Sequence, residues 1–160
     1  MSDYRLLDFP SFMTFHDAQH AASVVEPAGD PARWAVVNAI IALAVRAKMA
    51  PGSETELSDI PQALYQNALT VTPELIYINS PSLLSVTALL AMAMFARGIP
   101  GTQAFVMLIT NASRQLELLR LSGFFAGQAI DIEESYRRLH KIASTFEETL
   151  GMERFVRPIL

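Results

Sequence analysis

The sequence predicts an all-α domain, a bundle of about six antiparallel helices in a helix-hairpin arrangement. Three observations carry that expectation. Prolines behind small capping residues, and glycines beyond apolar runs, punctuate the chain at helix-length intervals. Between those marks, apolar residues recur at the three- and four-residue spacing of a helix face. The β-branched stretch VTPELIYI near residue 71 is interrupted by Pro73 and reads as a loop, not a strand.

The elements follow in order. A first helix is expected over 11–25. In the second, Asp30 caps and Pro31 takes the first helical position, where a missing N–H costs nothing. It runs ARWAVVNAIIALAVRAKMA and stops at Pro51-Gly52. A third is expected from Ser58 or Asp59 to Val71. Ser80-Pro81 repeats the start signal, and that helix ends at Gly98 before Pro100. Thr102 caps the next, which runs to about Ser122 and stops at Gly123. Asp131 with Glu134 is a capping box for the last helix, which ends near Gly151.

That last helix displays its buried face as Ile132, Tyr136, Leu139, Ala143, Phe146 and Leu150. Glu133–Arg137 and Glu134–Arg138 stand four apart in the favourable order, each adding about a few tenths of a kcal/mol. The helices at 32–49 and 81–97 are apolar nearly all round and are expected at the centre.

Composition narrows the function. The 160 residues suit a single domain over 1–160. Hydrophobic residues make up 51% and charged residues 18%, so either the core is large or an apolar surface meets a partner or ligand. A net charge of −4 argues against direct nucleic-acid binding, which needs a basic footprint. With no cysteine there is no disulfide framework, thiolate metal site or thiol nucleophile, which fits a reducing, intracellular setting in nucleus or cytoplasm. The start, MSDYRLLDFP, lacks the basic-then-apolar pattern of a signal peptide. The longest uncharged apolar stretch, at 83–96, falls short of the roughly 20 residues of a span, so no membrane partner is expected. Phosphate-loop, dinucleotide and nucleophile-elbow motifs do not occur, and no cofactor is expected.

Several residues are candidates for chemistry. His16 and His20 stand four apart on a helix, a spacing that lets both reach one metal, with Asp17 after the first as in H-E-x-x-H. The plain reading, polar residues on an amphipathic helix, is preferred and no metal is expected. His140, Ser144 and Glu147 form one polar stripe beside the apolar face of the last helix. Histidine titrates nearest neutrality, so His140 could serve as acid/base with Glu147 orienting it, if both face inward. A solvated helix face is the preferred reading. Arg137, Arg138 and Lys141, with glutamates nearby, read as a paired surface.

The binding candidates are Trp34, Asn38, Tyr65, Met94 and Phe105. Asn38, inside an apolar helix, needs amide partners and serves first as a helix–helix hydrogen bond, second as a polar anchor for a ligand. Trp34 packs or stacks on a ligand. Met49, Met92, Met94 and Met107, with Phe95, Phe105, Phe124 and Phe125, make an adaptable interior of the kind that lines apolar pockets.

Four segments in order resemble the fungal-specific transcription factor domain, the middle homology region of fungal zinc-cluster transcription factors. The first is DPARWAVVNAIIALAVRAK at 30–48, with Trp34, Ala35, Asn38 and Leu43 at matching places. The second is ALYQNALTVTPELIYINSPSLLSVTALLAMAMFARGIPGTQAF at 63–105, similar to the family's helix, Pro-Ser-Leu helix and glycine loop. The third is MLITNASRQLELLRL at 107–121, and the fourth RRLHKIASTFEETLGMERFVRP at 137–158. In the fourth, His140 and Lys141 stand where the family has Phe-Trp, and Glu147 replaces its Asp. The six-cysteine cluster and basic linker are missing from this chain. It therefore reads as a truncated relative, and the initial Met favours a complete chain over an excised fragment.

The resemblance implies a non-catalytic regulatory module in transcription, with a link to secondary metabolism. It would dimerise through the apolar face that later helices cover in longer members, and bind a hydrophobic small molecule. The alternative is a small cofactor-free enzyme, a cyclase, isomerase or dehydratase acting on a hydrophobic natural product. In that reading His140 is the acid/base, Glu147 its partner, and Asn38 or Tyr65 the hydrogen-bond donor.

Overall fold

The computed structural model describes residues 5–22, 24–49, 59–78, 80–101, 103–124 and 126–156, with no side-chain account of 78 or 152–156. Among the described residues six α-helices follow one another: α1 (Phe9–His20), α2 (Pro31–Lys48), α3 (Asp59–Leu69), α4 (Leu83–Ala96), α5 (Gln103–Leu121) and α6 (Ile130–Val156). A π-helical turn, Glu74–Ile78, stands between α3 and α4. No strand occurs among the described residues.

The helix starts show how local chemistry sets the boundaries. Asp30 accepts from the backbone N–H of Arg33 at 3.1 Å, with Pro31 at the first turn, as expected. The first helix begins earlier than expected because Asp8 is its cap, accepting from the Ser11 N–H at 2.8 Å, and it ends at His20 and not at 25. The fourth begins at Leu83, since Ser82 and not Ser80 is the cap: its hydroxyl accepts from the Ser85 N–H at 3.0 Å. Pro81 also biases Ser80 toward extended backbone, away from helix.

The last helix departs from expectation at both ends. It opens at Ile130, and the Ala129 carbonyl accepts from the N–H groups of Ile132 and Glu133. Asp131 thus lies inside the first turn, where its charge suits the helix dipole, and does not cap. Gly151 takes no positive φ, and the helix carries it through to Val156 at a cost of about 1 kcal/mol relative to alanine. Gly123 does stop α5. Its φ of 73° lets Phe124 N–H reach back to the Leu119 carbonyl at 3.4 Å, a closure that needs a left-handed residue. The proposed signals at Ser58, Pro51-Gly52 and Thr102 lie outside the described residues.

The segment read as a loop near residue 71 is helical instead. Val71 and Leu75 are buried, and Leu75 N–H donates to the Val71 carbonyl at 3.1 Å. Burying these two apolar side chains draws the segment inward, and a backbone that enters the core must satisfy its own polar groups. The Leu75 carbonyl is met by Gln115 of α5, whose Nε2 donates at 2.6 Å.

The core centres on α4, where Val86 and residues 88–93 have no solvent exposure. The helices α2, α5, α6 and α3 pack on it, α3 also packs on α2, and α1 lies against α2. In α2 the buried part is Ala35–Ala39 with Ala42, so this helix is central through its middle and not at its ends. On α6, Leu139, Ala143 and Phe146 are buried, with Tyr136 and Leu150 packed against the core. Glu133 and Arg137 pair at 2.6 Å, whereas Glu134–Arg138 forms no pair among the described residues. No described helix is long and apolar enough to cross a membrane.

Candidate functional site

Among the described residues, one group of side chains ties α2 to α3 and another ties it to α4, and a cleft opens beside the second. Toward the start of α2, Trp34 donates its indole N–H to the Asn67 carbonyl of α3 at 2.9 Å. Asn38 is buried; its Nδ2 donates to the Trp34 carbonyl at 2.9 Å, and its Oδ1 accepts from Asn67 Nδ2 at 3.2 Å. Both polar ends of the Asn38 amide are engaged, so this residue acts as the helix–helix hydrogen bond of the structural reading.

Toward the end of α2, Arg46 stands over the Phe95 ring of α4, its guanidinium carbon 4.2 Å from the ring centroid. Phe95 stacks on Tyr65 of α3 at 4.7 Å, with the rings 25° from parallel. Arg46 Nη1 donates to the Phe95 carbonyl at 2.8 Å, and Nη2 to the Met94 carbonyl at 3.2 Å. These are among the last carbonyls of α4, so the cation also complements the negative end of that helix. Gly98 makes room: a Cβ there would stand 2.6 Å from Nη1. Burial pulls Arg46 below its usual pKa and pushes the Tyr65 phenol above its own. Guanidinium keeps its charge through such a shift.

A cleft of about 390 Å³ opens against this stack, with Arg46 and Phe95 on one side and Met49, Pro61, Gln62, Gly98 and Ile99 completing it. Its size falls at the lower end of the range for small-molecule sites, and apolar residues make up most of its described lining beside Arg46 and Gln62. Among the described residues no carboxylate pairs with Arg46.

The residues singled out from the sequence divide between this region and others. Tyr65 belongs to the stack and Met94 supplies a carbonyl to it, while Trp34 and Asn38 hold the same helix pair farther along. Phe105 packs edge to face against Phe146 at 5.7 Å, between α5 and α6, away from the cleft. Met92 is buried as expected, but Met107 is exposed on α5, and Phe125 lies outside the described residues.

His140 and Glu147 are both exposed on α6, and the His140 ring lies alongside Tyr136 at 5.9 Å. The inward-facing position required for acid/base work in a cavity is therefore not theirs. Helical phase explains it: Leu139, Ile142, Ala143 and Phe146 occupy the core-facing stripe, and His140 and Glu147 lie at its solvent-facing edge. His16 and His20 lie ring to ring at 4.5 Å, with His16 Nδ1 3.4 Å from Asp17 Oδ1. No group of three or more His, Cys, Asp or Glu stands where it could hold a metal among the described residues.

Arg46 is the residue that sequence reasoning passed over. Its signal was present, since residues 34–45 carry no charge and Arg46 ends that run. The pairing with Gly98, far along the chain, has no local signature.

A chain that is helical through its described elements, with a Trp34–Asn38–Asn67 tie and a cleft against Arg46, is here also homologous to regulators of transcription. Its curated homologues, at 30–34% identity, are fungal transcription factors, in keeping with a fungal transcription-factor domain. The chain is 34% identical over 105 residues to the Fusaridione A cluster transcription factor fsdR of Fusarium heterosporum, a match covering 66% of this chain and 19% of that protein. It is 30% identical over 138 residues to an ABC-transporter-regulating transcription factor of Aspergillus oryzae, covering 84% of this chain and 15% of the relative. A protein of the same description from Aspergillus fumigatus is 30% identical over 132 residues, covering 80% and 14%. The chain thus spans less than a fifth of the length of the curated relatives it matches. No family model matches it, and no solved structure does.

Proposed function

We propose that this chain is a non-catalytic regulatory module of the transcription-factor type, which dimerises and responds to a hydrophobic small molecule, without itself touching DNA. The observation that carries the reading is the homology to transcription factors across 66–84% of the chain. The net charge of −4 supports a role apart from the nucleic-acid backbone. The apolar cleft beside Arg46 supplies a site of suitable size for a ligand. Met107, Leu118 and Leu121, all exposed on α5, supply apolar surface for a second copy. A nuclear or cytoplasmic location follows from the regulatory role.

The test places residues 1–160 between a heterologous DNA-binding domain and an activation segment and reads a reporter gene. The module is expected to change reporter output relative to an inert helical spacer of the same length. Output equal to that of the spacer, with the fusion expressed at the same level, refutes a regulatory role.

A further inference from the structure

The cleft between α2, α3 and α4 has a chemistry more specific than apolar. Among its described lining residues the one full charge is the Arg46 guanidinium, held in a fixed attitude by three constraints. Phe95 lies against its face at 4.2 Å, the Phe95 and Met94 carbonyls accept from its two terminal nitrogens, and Gly98 leaves the space it occupies. A guanidinium has five N–H donors, and carbonyl acceptors carry only partial charge, so neither its donors nor its charge are matched by these contacts. Among the described residues no acidic side chain completes the match.

We propose that the cleft binds an apolar organic anion, its acid group on Arg46 and its hydrocarbon part against Phe95, Met49 and Ile99. This deepens, and rests on, the reading of the chain as a small-molecule-responsive module. The fork of N–H groups suits the two oxygens of a carboxylate or of a comparably delocalised acid. Partial desolvation strengthens that attraction, because fewer waters compete for the cation. The apolar walls supply binding energy in proportion to the hydrocarbon they cover. Holding the cation before the ligand arrives removes part of the ordering cost of binding.

Capping the end of α4 is the other service Arg46 renders, and a test must separate the two. Calorimetric titration of the full chain with decanoate and with decanol, both below their aggregation limits, does so. Decanoate is expected to bind, and decanol to bind at least about tenfold more weakly, the equivalent of about 1.4 kcal/mol. R46Q should bring decanoate down to the level of decanol. Q62W, a change at an exposed residue of the cleft wall, should abolish decanoate binding without loss of helical content, and it decides the question if R46Q does not fold. Equal binding of decanoate and decanol overturns the anion but leaves an apolar ligand in place. Decanoate binding untouched by Q62W overturns the cleft as its site. Failure of both probes to bind overturns this proposal and the small-molecule part of the function together.

Discussion

Gly98 and Arg46 stand 52 residues apart in sequence, with α3 and α4 between them, and at contact distance in space. Because a Cβ at 98 would stand 2.6 Å from Nη1, G98A must push the guanidinium off its carbonyls. Decanoate affinity is expected to fall several-fold in that variant while its helical content is retained. Unchanged affinity in calorimetry would mean that the guanidinium attitude does not matter to the cleft. At the other end of the chain, Asp8 titrates below the ordinary carboxylate range because it accepts from the Ser11 backbone and side chain. A carboxyl whose pKa is depressed by folding stabilises the fold above its unfolded value and loses that contribution as pH falls through the folded one. Protection of the α1 amides, taken relative to the intrinsic exchange rate at each pH, should therefore fall on acidification below the ordinary carboxylate value, and D8N should flatten that dependence. Asn38 was legible as a buried amide in need of partners, but its partner was not, since Asn67 lies 29 residues away. A double-mutant cycle on these two amides should give a coupling of about 0.5–1.5 kcal/mol; none would mean that the tie does not hold α2 to α3.

Caps decide where helices begin, and S82A and S80A discriminate the observed boundary of α4 from the one its Ser-Pro signal suggests. Loss of the Ser82 hydroxyl should cost about 1 kcal/mol, seen as a lower denaturation midpoint at constant slope, while the Ser80 change should be near neutral. The reverse order would move the start of α4 back to the proline. The elements themselves were largely legible, because punctuation and period are local properties. The amphipathic face of α6 was read correctly through Leu139, Ala143 and Phe146, which lie in the core. Phe146 is fully buried against Phe105, and F146A should cost about 3–5 kcal/mol in chemical denaturation. The π-helical turn at Glu74–Ile78 was not legible, because it is held by tertiary burial of Val71 and Leu75 and by Gln115 on a distant helix. His140 and Glu147 are exposed, on the solvated helix face that is the preferred reading of the sequence. They border the apolar stripe, and a stripe's edge faces water unless another helix covers it.

At the scale of the whole molecule, the apolar excess divides between a core centred on α4 and a remainder left on the surface. Spacings of eleven and three place Met107, Leu118 and Leu121 on one stripe of α5, pointing away from α4. A two-fold pairing of such stripes would bury them mutually. Neither the stripe nor the cleft could be located from composition alone, since an excess of apolar residues says nothing about where it is exposed. Native mass spectrometry of the full chain, recorded with decanoate present, reads pairing and ligand together. A species of two chains carrying added organic mass is expected, separated into single chains by L118E together with L121E. A single chain with no added mass, at concentrations where a regulatory dimer forms, would contradict that expectation.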